Sequence, residues 1–207
     1  MTDDTPPLTE APARKALGQH FLFDPSILKR AANAAGSPAG RTVIEVGPGP
    51  GGLTRAILNE NPAKLIAVET DPRFSEALLE WPEAKSGQLV VIARDARKVR
   101  WEKALQEAGA TGPAMIIANL PYNVGTPLLV DWLKAGDWRG EMALMFQKEV
   151  AERICAKPDT DAYGRLAVLA QAVTRPYISF TLPPGAFRPP PKVDSAVAVF
   201  EPLLPDK

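Results

Sequence analysis

Short apolar runs alternate with longer amphipathic stretches along most of this chain, and that rhythm leaves few folds open. Strand-length runs stand at Thr42–Val46, Lys64–Val68, Leu89–Ala93, Met115–Ala118, Met142–Phe146, Val173–Leu182 and Val193–Phe200. Between them the spacing predicts helices at Gly51–Asn61, Pro72–Leu79, Thr126–Lys134, Lys148–Ala156 and Tyr163–Ala172. One more helix precedes the first strand, with Asp24 as its N-cap, Pro25 at its first position and Gly36 as its stop. Regular β-α alternation predicts an α/β fold, a Rossmann-like, mostly parallel seven-stranded sheet covered by helices on both faces. The last two strands break the pattern. They are joined by "PPGAFRPPPK", too rich in proline for a crossover helix, so the sheet is expected to end in an antiparallel pair.

The rest of the sequence narrows the chemistry. One cysteine (Cys155) and one histidine (His20) provide neither a disulfide framework nor a Cys/His metal cluster, so no metal is expected. The longest apolar runs are far too short to span a bilayer. The opening "MTDDTPPLTEAP" is acidic and proline-rich, lacks the basic start and apolar stretch of a secretion signal, and reads as a disordered tail over residues 1–13. A soluble, cytoplasmic monomer is the expectation, with residues 14–207 forming a single domain. The chain has 24 basic and 24 acidic residues, and three of the acids lie in that tail. The remainder is only mildly basic, so any nucleic-acid role has to rest on a built site and not on charge alone.

The first such site is "VIEVGPGPGGLT", where a buried strand runs into a helix. Gly47, Gly49 and Gly52 fit G-x-G-x-x-G, the spacing that lets backbone come close to a ligand, although glycine turns after strands are also common for purely structural reasons. The next strand ends in Glu69, 22 residues after Gly47, where a carboxylate can accept hydrogen bonds from ribose hydroxyls. Together the two features indicate a nucleoside site. Pro48 and Pro50 remove N–H groups that a pyrophosphate would need. Neither Tyr163 nor Tyr177 has the lysine four residues on that a dehydrogenase relay would use. S-adenosyl-L-methionine, which carries no phosphate, suits such a loop better than a nicotinamide dinucleotide. Asp95, in "IARDA", stands either where it could take an adenine amine or as a solvated strand-end carboxylate. Gln19 and His20, in "LGQHFL", either cap the cofactor site or belong to a packed N-terminal segment.

The second site is "ANLPYNV", residues 118–124, at the carboxyl end of the fourth strand. Leu120 precedes Pro121 and is biased to an extended backbone, which aims its carbonyl stiffly. Asn119 Oδ1 and the Leu120 carbonyl would form a pair of acceptors, matched to the two N–H bonds of an exocyclic amine. Tyr122 offers a ring face for stacking. This suits an adenine N6 amine attacking an already electrophilic methyl group, a displacement that needs positioning more than a general base. Phe187, on the last proline-rich loop, has two readings: a second ring face for the base, or a core side chain. Arg188 and Lys192 beside it could meet phosphate.

These stretches, with "AVETD", "RDA", "MFQKEVAERI", "YGRLAVLAQ" and "FRPPPKVDSAV", resemble in order the ribosomal RNA adenine N6-dimethyltransferase family over residues 14 to 200. They are most similar to its bacterial small-subunit branch; the erythromycin-resistance methylases usually have Ile at position 120 and a different loop at Pro48. The resemblance implies a class I S-adenosylmethionine-dependent methyltransferase fold. It also implies N6-dimethylation of two adjacent adenosines near the 3′ end of 16S rRNA in the 30S subunit or its precursor, a step in subunit biogenesis. The cofactor residues it implies are Gln19, His20, Leu22, Gly47, Gly49, Glu69, Thr70, Asp95, Ala96 and Asn119. The target adenine would be held by Asn119, Leu120, Pro121 and Tyr122 and faced by Phe187. Two departures stand out. The family often has Asn where His20 stands, and the chain stops at "EPLLPDK" where the family continues into a C-terminal helical domain, which is expected to be absent here. Arg14, Lys15, Arg153, Lys157 and the helix Lys148–Ala156 are candidate RNA contacts. A non-catalytic RNA-binding or ribosome-assembly factor on the same fold, or a large-subunit methylase, is the alternative reading.

Overall fold

The computed structural model describes residues 19–203. The tail expected over residues 1–13, and the candidate RNA contacts Arg14 and Lys15, lie outside the described residues. In chain order the elements are β1 (Phe21–Leu22), α1 (Pro25–Ala32), β2 (Thr42–Val46), α2 (Gly52–Leu58), β3 (Lys64–Glu69), α3 (Pro72–Leu79), α4 (Pro82–Ser86) and β4 (Leu89–Ala93). There follow α5 (Trp101–Glu107), β5 (Ala114–Asn119), α6 (Gly125–Leu133), β6 (Arg139–Gln147), α7 (Lys148–Ile154), α8 (Arg165–Val173), β7 (Thr174–Leu182), β8 (Phe187–Arg188) and β9 (Ser195–Pro202). No helix among the described residues is long and apolar enough to cross a membrane.

The seven-stranded sheet has the order β4-β3-β2-β5-β6-β9-β7. Pairing is parallel from β4 through β6, and β9 runs antiparallel to both β6 and β7. The expected antiparallel ending is therefore present, and its detail has a sequence cause. β9 is apolar on both faces ("AVAVF") and is inserted between two strands, whereas β7 carries Pro176 and alternates in exposure, as an edge strand does. Alternation along the inner strands divides the core between the two faces of the sheet. Val43, Leu65, Ala67, Met115 and Ile117 pack on one side. Ile44, Ile66, Val68, Ile116 and Ala118 pack on the other.

Several features went unread in the sequence. α5 forms over "WEKALQE", and its Trp101 ring stacks on Trp138 at 5.9 Å and meets Trp132 edge-on at 6.1 Å. α2 ends at Leu58, three residues before its expected end, because the chain turns at Asn61 with φ +55°. The first helix stops at Ala32 with Asn33 as its C-cap, earlier than Gly36. Most consequential is a two-stranded ribbon in which β1, near the start of the described residues, pairs antiparallel with β8, near their end, Phe21 opposite Arg188 and Leu22 opposite Phe187. Two-residue strands leave no periodicity to detect.

Candidate active site

β2 and β5 are neighbours, but the chain leaves β2 toward β3 on one side and returns to β5 on the other. Crevices outside the carboxyl ends of such strands are where open α/β sheets bind ligands. Here that crevice is a cavity of about 260 Å³. Its lining brings together Gln19, His20, Gly47, Gly49, Glu69, Thr70, Asp95, Ala96, Asn119, Leu120, Pro121 and Tyr122, residues spread over more than 100 positions of sequence.

The glycine loop is shaped by what lies against it. Gly47 and Gly49 have φ of +71° and +54°, the left-handed region. A Cβ on Gly49 would come within 2.7 Å of the Phe21 ring, and one on Gly47 within 3.5 Å of Pro121. Glu69 holds the loop down: one carboxylate oxygen accepts the Gly49 N–H at 3.0 Å and the other accepts the Asp71 N–H at 2.8 Å. The Thr70 N–H also bears on the carboxylate, and of its roughly four acceptor positions not all are used, which leaves acceptor capacity for a ligand hydroxyl. Burial pushes the Glu69 carboxyl above its ordinary range, and those backbone N–H groups act in the opposite direction. Asp71 is buried behind it, accepts hydrogen bonds from Gln19 and Arg73, and is held down at about 2 chiefly by the Arg73 guanidinium. Gln19 is thereby part of the wall that steadies Glu69.

Asp95 stands at the mouth, where its carboxylate caps the short 3-10 helix Ala96–Lys98 and pairs with Arg97 at 2.8 Å. Its pKa is lowered, mainly by that arginine. Asp95 thus lines the cavity and is at the same time held by a structural partner, Arg97.

In the "NLPY" turn, Asn119 Nδ2 donates to the His20 carbonyl at 2.8 Å, which fixes the amide with its oxygen as the remaining acceptor. The Pro121 carbonyl takes the N–H groups of Val124 and Gly125 at 3.1 Å, closing the turn into α6. Tyr122 is anchored at its far end by a 2.7 Å hydrogen bond between its hydroxyl and Ser195 Oγ on β9. Burial raises the pKa of its phenol. The His20 ring stacks against Tyr122, with centroids 5.4 Å apart and planes inclined at 29°. His20 Nδ1 lies 2.8 Å from the Pro189 carbonyl.

Two expected site residues lie elsewhere. Phe187 is only 1% exposed and packs in the core with Leu22, Leu28 and Ala186. Because its strand β8 is paired with β1, its ring is committed to the core, so the core-packing reading holds and no ring face is offered to a base from this position. Leu22 does not reach the main cavity. It lines a neighbouring one of about 20 Å³ behind the glycine loop, together with Glu45. Arg153 and Lys157 are exposed, well outside the cavity lining.

Other lining residues were not anticipated. Phe21, against Gly49, is one position from the highlighted His20, and Asn123 and Val124 continue the "NLPY" turn. Ser195, which holds Tyr122, lies in the quoted stretch "VDSAV" but gives no signal that its partner is 73 residues away. Glu45 is 1% exposed, and its Oε2 has no hydrogen-bond partner among the described residues. Desolvation, with the nearby Glu69 charge, pushes it up to about 8.

Comparison with known proteins bears on the family and the fold. The family model "Ribosomal RNA adenine dimethylase" matches residues 11–206. The ribosomal RNA small subunit methyltransferase A of Mesorhizobium japonicum is 48% identical over 97% of this chain and 75% of its own length. Among solved structures, a dimethyladenosine transferase from Plasmodium falciparum superposes with a TM-score of 0.76 at 28% identity, over 89% of this chain and 64% of that one. The 23S rRNA methyltransferase ErmE superposes with a TM-score of 0.73 at 26% identity, over 90% and 72%. The chain is a methyltransferase and belongs to the ribosomal RNA adenine dimethylase family.

Proposed function

We propose that this chain transfers methyl groups from S-adenosyl-L-methionine to the N6 amines of two adjacent adenosines near the 3′ end of 16S rRNA. The product would be N6,N6-dimethyladenosine, made in the cytoplasm on the 30S subunit or its precursor by a monomer. The observation that carries the reading is the orientation of Asn119. One of its two amide hydrogens is donated to the His20 carbonyl, which fixes the amide so that Oδ1 is the acceptor it presents, beside the Leu120 carbonyl in a cavity also lined by Glu69. The small-subunit relatives at about half identity favour 16S over 23S rRNA, and the 26% identity to ErmE makes the large-subunit reading the weaker one.

The residues present fit the cofactor. Glu69 has lone pairs for ribose hydroxyls, Gly47 and Gly49 leave room for close approach, and the cavity walls at Val46, Val68 and Leu128 are apolar. When bound, the cofactor supplies a methyl group on a sulfonium that is already electrophilic. Asn119 Oδ1 and the Leu120 carbonyl accept the two amine hydrogens and turn the nitrogen lone pair toward the methyl. Tyr122 keeps the base plane fixed, and the displaced proton passes to water. No general base is required.

The direct test incubates the protein with methyl-labelled adenosylmethionine and undermethylated small subunits, then digests the RNA. Label in N6,N6-dimethyladenosine is expected. Binding of the subunits without any label would favour an RNA-binding factor on the same fold.

A further inference from the structure

Tyr122 is held at both ends, by Pro121 before it and by the 2.7 Å hydrogen bond from its hydroxyl to buried Ser195. Its ring therefore cannot swing. Yet the ring is already stacked, by His20 at 5.4 Å between centroids, within the same cavity that holds Asn119 and Leu120. A base inserted between the two rings would need about 7 Å, two van der Waals thicknesses. On the opposite side of the "NLPY" turn, Tyr122 borders a cavity of about 20 Å³, too small for a purine. Phe187 is buried and provides no competing ring.

Of the two rings, His20 has the more exposed tether. Its side chain is tied at Nδ1 to the Pro189 carbonyl, while its main-chain carbonyl holds the Asn119 amide. The imidazole can therefore rotate away without releasing Asn119. We propose that the His20 side chain is a stand-in for the target adenine: it occupies the stacking face of Tyr122 until RNA arrives and leaves that face as the base takes its place. This rests on the reading of Asn119, Leu120 and Tyr122 as the seat of the target base. Every base that binds must then displace one ring stack and one hydrogen bond, which favours adenines presented in the full RNA context over loosely held ones.

Two measurements test the proposal. The first is steady-state methylation of undermethylated small subunits by His20→Ala and His20→Phe, with cofactor affinity followed by calorimetry. His20→Ala is expected to lower the KM for subunits on the order of five- to twentyfold, beyond any change in cofactor affinity. His20→Phe, which restores a ring, is expected to return KM toward the wild-type value. A KM that is unchanged or raised in His20→Ala overturns the stand-in. The second needs no turnover. His20 is the chain's one histidine, so its ring protons are unmistakable in a proton NMR spectrum. The Tyr122 ring current should displace them, and Tyr122→Leu should return them toward free-histidine positions. Identical shifts in the two proteins would overturn the stack. Wild-type protein that methylates no adenine at N6 would instead remove the underlying reading, whatever the His20 variants do.

Discussion

With its Nδ2 donating to the His20 carbonyl, Asn119 keeps an acceptor for a ligand and no free choice of orientation. Asn119→Ala is expected to slow methyl transfer by roughly 10²–10³, the usual loss for one preorganised group, with cofactor affinity largely intact. Asn119→Asp should not rescue it, because a carboxylate oxygen would then face the His20 carbonyl. Glu45 gives a pH effect whose sign follows from burial. Its carboxyl is pushed from 4.5 up to about 8 in the folded protein. Between those values the folded state holds a proton that the unfolded state releases, so this residue's contribution to stability declines as pH rises through the window. Glu45→Gln is expected to stabilise the protein by about 2–3 kcal/mol at pH 7 and to be nearly neutral at pH 4, as denaturant titrations at the two pH values would reveal. Equal effects at both would show that Glu45 ionises normally.

At the scale of elements, the site is a junction between the β2 loop, the end of β3, the end of β5 and the β1–β8 ribbon. Glu69→Ala removes both the proposed ribose acceptor and the restraint on Gly49, and calorimetry should give a loss of cofactor affinity of about 1.5–3 kcal/mol. Gly49→Ala is expected to weaken cofactor binding as well, through strain at φ +54° and through the displaced Phe21 ring. Wild-type affinity in that variant would mean that the ribbon yields easily. The parts of this junction that the sequence displays are those with a local signature: the glycine spacing, the acid ending β3, and an Asn-Leu-Pro-Tyr turn after an apolar strand. The ribbon was illegible because β1 and β8 are two residues each, and a pairing over so long a separation leaves no period in either segment. α5 gives little signal because "WEKALQE" is polar and lies between longer apolar runs.

For the molecule as a whole, Phe187 shows why a motif position can mislead. An aromatic before three prolines reads as a presented ring, but β8 zips it against Leu22 and buries it. Phe187→Ala is expected to cost about 3–5 kcal/mol in unfolding free energy, whereas Phe187→Leu, nearer in volume, should cost under about 1.5 kcal/mol with turnover little changed. Loss of transfer in Phe187→Leu at full stability would return the ring to the base. The strands themselves, and an antiparallel pair at the end of a mostly parallel sheet, could be anticipated, since each inner strand is a separate apolar run, but their order in the sheet could not. The insertion of β9 between β6 and β7 needed the structure, because β7 precedes it closely in the chain whereas β6 lies far upstream. On the proposed reading, that arrangement sets one amide oxygen and one carbonyl beside the cofactor cavity. The most direct test is a single-turnover comparison of wild type and Asn119→Ala on undermethylated small subunits at saturating labelled adenosylmethionine. Label in N6,N6-dimethyladenosine, formed 10²–10³ times more slowly in the variant, is expected. Equal rates in the two proteins, or label on any other atom, would contradict the assignment of Asn119 as the group that aims the amine.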